Sequence, residues 1–236
     1  MDSDYAQTLL RKVRADYQML AEPYSSSRER TWPEFEEFVK YVEPGMKILD
    51  VGCGNGRLTK IFGNVKVDYT GLDASSRMVE QANKLSPEYD FQVGDILSLP
   101  FTNQEFDIVF SILMLHQIPT NELREKAVGQ IHRVLKPGGR LILTVWNLWR
   151  QKYRAKLRMT NLKKFFGLTK LDKNDILIPW RDSGVEQYYH AFTQEELRDL
   201  LANTGFQIEN IFLGKEYKTD SKKFFNNIIV VAKKSR

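Results

Sequence analysis

The chain has 236 residues, 42% of them hydrophobic and 28% charged, with a net charge of +5. That length suffices for one sizeable soluble core. The single cysteine, Cys53, excludes an intrachain disulfide and gives no support to a cysteine-based zinc site, so no metal is expected. Met1 to Arg14 is polar, without a signal-peptide apolar run, and no stretch reaches the ~18 apolar residues of a membrane span. The expectation is a cytoplasmic protein outside the membrane.

In chain order the pattern alternates. Residues 5–20 read as a helix, and residues 32–42 as a second, with Thr31 as N-cap and Pro33 near its start. Lys47 to Val51 is a short apolar strand, and Arg57 to Phe62 opens a helix. Asp68 to Leu72 is a strand, Ser76 to Lys84 a helix started by Ser75, and Phe91 to Val93 and Phe106 to Ser111 are strands. Asn121 to Leu135 is a helix stopped by the turn signal Lys136-Pro137-Gly138-Gly139, before a strand from Arg140 to Trp146. This rhythm predicts a parallel sheet with helices on both faces.

The rhythm breaks over residues 148–190, which are basic, aromatic and irregular. Between Arg150 and Lys173, nine lysines and arginines face one acid, Asp172, while the rest of the chain is slightly acidic. Such a segment suits a polyanion, most simply nucleic acid, or is a solvated helix face. Thr193 then caps a helix, Gln194 to Asn203, in a capping-box pattern, and Gly205 ends it. Phe206 to Leu213 and Asn226 to Ala232 read as an antiparallel pair at the sheet edge. We expect one domain over residues 1–236, with a helical N-terminal segment at 1–45 and a cap insertion at 148–190.

The most informative stretch is Asp50-Val51-Gly52-Cys53-Gly54-Asn55-Gly56, between a strand and a helix. Gly52 and Gly54 allow a sharp turn and close backbone approach by a ligand outside the strand's carboxyl end. A dinucleotide fingerprint would need glycine where Arg57 stands, so the spacing favours a nucleoside without a pyrophosphate. Asp73, ending the second strand, is placed to accept from both ribose hydroxyls, with Ala74 and Met78 beyond it. Asp95 is a candidate for an adenine amino group and Ile96 for the ring face. Ser111 to His116, ending the fourth strand, is expected to line the pocket floor. Cys53 reads as a small residue in the turn.

From Ile48 to Trp146, including Lys136 to Gly139, the chain resembles the class I S-adenosylmethionine-dependent methyltransferases. The resemblance implies a Rossmann-like, seven-stranded, mostly parallel sheet. It also implies bound S-adenosylmethionine, leaving as S-adenosylhomocysteine, with Asp50, Gly52, Cys53, Gly54, Asn55, Gly56, Asp73, Ala74, Met78, Asp95, Ile96 and Ser111 as its candidate contacts.

The flanks carry a narrower resemblance. Tyr24-Ser-Ser-Ser-Arg28, Thr31-Trp32-Pro33, Asp175-Ile-Leu-Ile-Pro-Trp180, Gln187-Tyr-Tyr-His190 and Phe192 to Leu197 are similar to the tRNA wobble-uridine methyltransferases that esterify 5-carboxymethyl uridine. In Leu113-Met-Leu-His-Gln117 only His116 stands where relatives often carry two adjacent histidines. A carboxylate acceptor ordinarily titrates at roughly pH 4, so it is ionised at neutral pH and no general base is required. It needs a clamp, for which Arg28 and Arg181 are the candidates. His116, His190 and Tyr188 are the further catalytic candidates. Trp32, Trp180, Tyr188 and Tyr189 are candidates for stacking on a flipped-out base, and the basic segment for the phosphates of an anticodon stem-loop. The resemblance also implies a small zinc-binding activator protein, with which relatives in eukaryotes and archaea work. Two other readings stay open: a methyltransferase of small molecules, carboxylates or others, and a catalytically silent cofactor-binding scaffold.

Overall fold

The computed structural model describes residues 1–26, 33–180, 183–214 and 227–235, with the backbone of 217–219 and 222–224. Its centre is a seven-stranded sheet. The strands are β1 (Lys47–Val51), β2 (Asp68–Asp73), β3 (Asp90–Val93), β4 (Phe106–Ile112) and β5 (Leu135–Val145), then β8 (Phe206–Leu213) and β11 (Ile228–Lys234), in the order β3-β2-β1-β4-β5-β11-β8. Only β11 runs against its neighbours, pairing antiparallel with both β5 and β8. The strand order reverses at β1, which pairs in parallel with β2 on one side and β4 on the other. Ligands bind outside the carboxyl ends of strands at such a reversal.

Alternation along the strands sorts the core into two layers. Leu49, Val51 and Val109 face α4 (Asn121–Val134) and α6 (Gln194–Asn203), meeting Val128, Ile131 and Leu197. Ile48, Ile108 and Phe110 point to the other face, against Phe35, Phe38, Phe62 and the buried side of α3 (Ser76–Leu85). The predicted caps are present: Ser75 Oγ accepts from Met78 N–H and Thr193 Oγ1 from Glu196 N–H. The other half of the expected capping box is diverted, because the Glu196 carboxylate meets His190 instead.

Several expectations are corrected. The first helix, α1 (Ser3–Ser26), is longer than the 5–20 reading. Only a 3₁₀ turn (Pro33–Phe35) and a four-residue helix, α2 (Glu36–Val39), occupy the second helical stretch; Thr31 lies outside the described residues. Arg57–Ile61 is 3₁₀ rather than α. Lys136 to Gly139 does not precede β5 but bulges within it: Phe106 pairs with Leu135 and Ile108 already with Arg140.

The described residues of 148–190 form regular elements. They form α5 (Gln151–Phe165) and a hairpin of β6 (Asp175–Pro179) and β7 (Glu186–His190), with a core of Leu148, Leu157, Ile176, Ile178 and Tyr189. Between β8 and β11, β9 (Tyr217–Thr219) and β10 (Lys222–Phe224) form a second short hairpin. The cap hairpin is pinned by Asp175, which is fully buried. One of its oxygens accepts from Tyr188 Oη (2.8 Å) and meets His190 Nδ1 (2.7 Å); the other accepts from Asp172 N–H. His190 Nε2 lies 2.6 Å from Glu196 on α6, which ties the hairpin to the main core. Leaving a buried donor or acceptor unsatisfied costs about 1–3 kcal/mol. Asp175→Leu, which removes every acceptor of this network, is therefore expected to cost at least about 1–3 kcal/mol in denaturant unfolding; an unchanged midpoint would show that the network does not hold the cap.

Candidate active site

A cleft of about 850 Å³, counting its open mouth, lies outside the carboxyl ends of β1, β2 and β4. Its floor is the turn after β1. Gly52 and Gly54 both have positive φ, +76° and +56°, which an L side chain resists. A Cβ on Gly52 would stand 2.4 Å from Met114 Cγ, whereas one on Gly54 would meet nothing. The turn is locked to β2: Gly54 N–H donates to Asp73 Oδ2, and Ser75 N–H to Asp73 Oδ1, both at 2.9 Å. Burial raises the Asp73 pKa, and these backbone donors oppose the rise. Ala74, Met78, Asp95 and Ile96 line the same cleft. Asp95 accepts from Leu97 N–H and pairs with Arg14 of α1 at 2.5 Å.

Beneath the β1 turn a side chamber holds Asp50, Cys53, Asn55 and Arg57, and opens onto the cleft through Gly52, Gly54 and Ile112. Asp50 Oδ2 accepts from Tyr69 Oη, while Oδ1 and the Asn55 side-chain oxygen have no hydrogen-bond partner among the described residues. Burial lifts the Asp50 pKa to about 7. Cys53 is buried with its thiol pKa pushed well up, so it enters the chamber wall as a neutral group. Gly56 has positive φ, a Cβ added there would clash with Phe91, and it borders a separate surface pocket with Lys60 and Ser86. Ser111 is fully buried in β4 and is not among the residues lining the cleft.

A second, smaller recess of about 290 Å³, counting its open mouth, adjoins the cleft, sharing Tyr17, Tyr24, Leu113 and Gln117 with it. Its walls are His116, Trp146, Trp180 and Tyr189. His116, Trp146 and Tyr189 stack with interplanar angles of 21–24°. Burial, helped by the charge of His190, lowers the His116 pKa to about 3, so the ring is neutral at physiological pH. Neither of its nitrogens has a partner among the described residues. Gln187 is similar: its oxygen accepts from Tyr189 Oη and its buried amide nitrogen has no partner among them.

The structure thus brings Asp50, Gly52, Gly54, Asp73, Ala74, Met78, Asp95 and Ile96 around one cleft and side chamber, and His116, Trp180 and Tyr189 around the adjoining cavity. It does not bring Tyr188 and His190 there. Tyr188 packs with Leu9 and Leu171 and donates to Asp175, and both nitrogens of His190 meet carboxylates. Their expected contact with an acceptor is replaced by the cap network. Arg28, Trp32 and Arg181 lie outside the described residues. Sequence reasoning predicted the helix but missed its place in the site, where Leu10, Val13, Arg14 and Tyr17 of α1 line the cleft, and gave no site role to Gln117 and Gln187. The apolar spacing of α1 signals a buried face but not what it faces.

Comparisons with known proteins agree with this geometry. The family described as "Methyltransferase domain" matches residues 49–143. The "Putative methyltransferase ECU09_1500" of Encephalitozoon cuniculi is 31% identical over 84% of this chain and 88% of its own length. The crystal structure of an S-adenosylmethionine-dependent methyltransferase from Methanosarcina mazei superposes with a TM-score of 0.73 and 26% identity, over 87% of this chain and 98% of that one. The chain belongs to the class I S-adenosylmethionine-dependent methyltransferase family. Within that family it is similar to the tRNA (carboxymethyluridine(34)-5-O)-methyltransferase of Schizosaccharomyces pombe, 26% identical over 88% of this chain and 92% of the relative. It is also similar to "Probable tRNA methyltransferase 9B" of Homo sapiens, 31% identical over 82% of this chain. This chain spans only 38% of that human relative's length. A Haloferax volcanii methyltransferase solved with the Trm112 methyltransferase activator shares the fold, with a TM-score of 0.68 and 19% identity over 95% of this chain and 98% of that one.

The two glycines of the β1 turn should separate on substitution. Gly54→Ala carries only the positive-φ penalty, about 1–2 kcal/mol. Gly52→Ala adds the clash with Met114 and should lose clearly more in denaturant unfolding. Equal losses would contradict the close approach at Gly52.

Proposed function

We propose that this methyltransferase esterifies the carboxylate of 5-carboxymethyl uridine at the wobble position of tRNA. The observation that carries the reading is the second cavity: flat aromatic walls, three buried side-chain nitrogens (both of His116 and the Gln187 amide) without hydrogen-bond partners among the described residues, and direct continuity with the cleft. Unpaired buried polar groups cost about 1–3 kcal/mol each, so a ligand that satisfies them gains affinity. A uracil edge offers two carbonyl acceptors and one N–H donor. The Gln187 amide would donate to a carbonyl, and neutral His116, with one nitrogen of each kind, would answer the rest. Trp180 and Tyr189 give the ring a stacking surface. The names of the S. pombe and human relatives support tRNA as the substrate.

The cleft fits S-adenosylmethionine. Asp73 would take the ribose hydroxyls on its remaining lone pairs, Asp95 and Ile96 the adenine, and Met78 the apolar side. The unpartnered Asp50 Oδ1 would meet the ammonium of the methionyl end. The cofactor supplies an electrophilic methyl group on a sulfonium. The chain's part is to hold an ionised carboxylate in line with it and exclude water, because the acceptor is already a nucleophile. Arg28 and Arg181 are proposed as the carboxylate clamp. The partner proposed by likeness to the H. volcanii complex is a small activator protein. Among the described residues no helix is long and apolar enough to cross a membrane; we propose a cytoplasmic location on the substrate's account.

The testing experiment is methyl transfer from labelled S-adenosylmethionine to tRNA bearing 5-carboxymethyl uridine, followed by mild alkali. The expected result is label that enters the tRNA and leaves with alkali, as a methyl ester must. Label that survives alkali would contradict a carboxylate acceptor. Asp50 gives a second prediction. Its pKa is about 7 in the free protein, and an ammonium partner would lower it. Cofactor binding should then be strongest above pH 7 and weaken below it, approaching tenfold per pH unit. In calorimetry Asp50→Asn should bind more weakly at pH 8 and lose this pH dependence; a wild-type affinity flat from pH 6 to 8 would remove Asp50 from the ammonium site.

A further inference from the structure

We propose that the outward face of α5 is a docking seam for a second protein, one presenting an apolar groove rimmed by carboxylates. The helix is anchored on its inner side by Leu157, which is fully buried, and by Lys156, whose Nζ donates to the Leu177 carbonyl. On the opposite side Ala155, Met159, Leu162 and Phe166 follow one another at steps of four, three and four residues. That spacing places them in one line on a helix. Ala155 is exposed and the other three are each more than half exposed, as are Phe165 and Leu168 beside the end of the line.

The line is about 16 Å long at 1.5 Å per residue, and narrow. Arg154 and Arg158 run along one side of it, Lys152 and Lys163 along the other. Arg154, Arg158 and Lys163 make no ion pair among the described residues. An apolar seam between two cationic rows is what an apolar groove with an acidic rim accepts. A second copy of this chain meeting it through the same face would set cation against cation, so the occupant is not that face of another copy. RNA phosphates would use the cations and leave the four apolar side chains without a role. A membrane-seeking helix needs a broad apolar face, and here cations stand on both sides of a single row. Because the helix is already folded and fixed by Leu157, a partner pays no ordering cost for it.

The test uses the full chain and a labelled synthetic peptide, a three-heptad helix with leucine at the a and d positions and glutamate at e and g. The same peptide with lysine at e and g is the control. The variant Leu162→Ser/Phe166→Ser removes apolar surface without changing charge, at exposed positions where folding is not at stake. We expect saturable binding of the acidic peptide and none of the basic one. The serine variant should weaken the acidic peptide at least tenfold while its affinity for bulk tRNA stays within twofold. Equal binding of the acidic peptide to the wild type and the variant would overturn the proposal, since charge alone would then suffice. A tenfold fall in tRNA affinity would assign the seam to RNA instead. Sedimentation of the wild type, but not the variant, with vesicles of phosphatidylglycerol would assign it to a lipid surface.

Discussion

The hydrogen bond from Gly54 N–H to Asp73 Oδ2 joins the turn after β1 to the end of β2, and the site depends on that junction. The turn can reach Asp73 only because Gly52 and Gly54 adopt positive φ, and Gly52 lies against Met114 where no side chain would fit. The same turn roofs the chamber in which Asp50 sits. One backbone contour therefore shapes the cleft, presents the Asp73 carboxylate and buries a second carboxylate beside it. Burial raises both pKa values, and a cationic or hydroxylated ligand would relieve that cost.

His116, just after β4, and His190, at the end of β7, show how similar residues diverge in role. His190 is satisfied on both nitrogens by Asp175 and Glu196, and its work is to hold the hairpin onto α6. His116 is just as buried, yet both its nitrogens lack partners among the described residues, and its ring is stacked into the wall of a cavity. A satisfied buried histidine stabilises a fold, whereas an unsatisfied one beside a cavity needs an explanation, and a bound ligand is the one proposed above. The cap delivers Trp180, Gln187 and Tyr189 to the same cavity from the end of β6 and from β7, so the tether built by His190 also positions that wall.

The central sheet is legible in the sequence because its signals are local. Alternating apolar runs, Ser75 and Thr193 as caps, and the Asp50 to Gly56 turn all act within a few residues. The cofactor side of the site follows, since strand ends at a reversal of order have a known position. The second cavity is only partly legible: its walls come from α1, the segment after β4, the ends of β5 and β6, and β7, and no spacing rule joins Tyr17 to Gln187. Tyr188 and His190 sit beside Tyr189 in sequence, but alternation along β7 turns Tyr189 one way and its neighbours the other. The cap looks irregular in sequence because α5 carries apolar residues on two opposite sides, which blurs the single stripe expected of a surface helix.

The central claim is that the acceptor base enters the aromatic cavity and meets the cofactor across Tyr17, Tyr24, Leu113 and Gln117. A crystal structure with S-adenosylhomocysteine and an anticodon stem-loop bearing 5-carboxymethyl uridine tests it most directly. The account predicts the uracil against Tyr189 and Trp180, with its carboxylate oxygen directed at the cofactor sulfur and roughly a methyl group's distance short of it. The base bound elsewhere, or the sulfur turned away from this cavity, would contradict it.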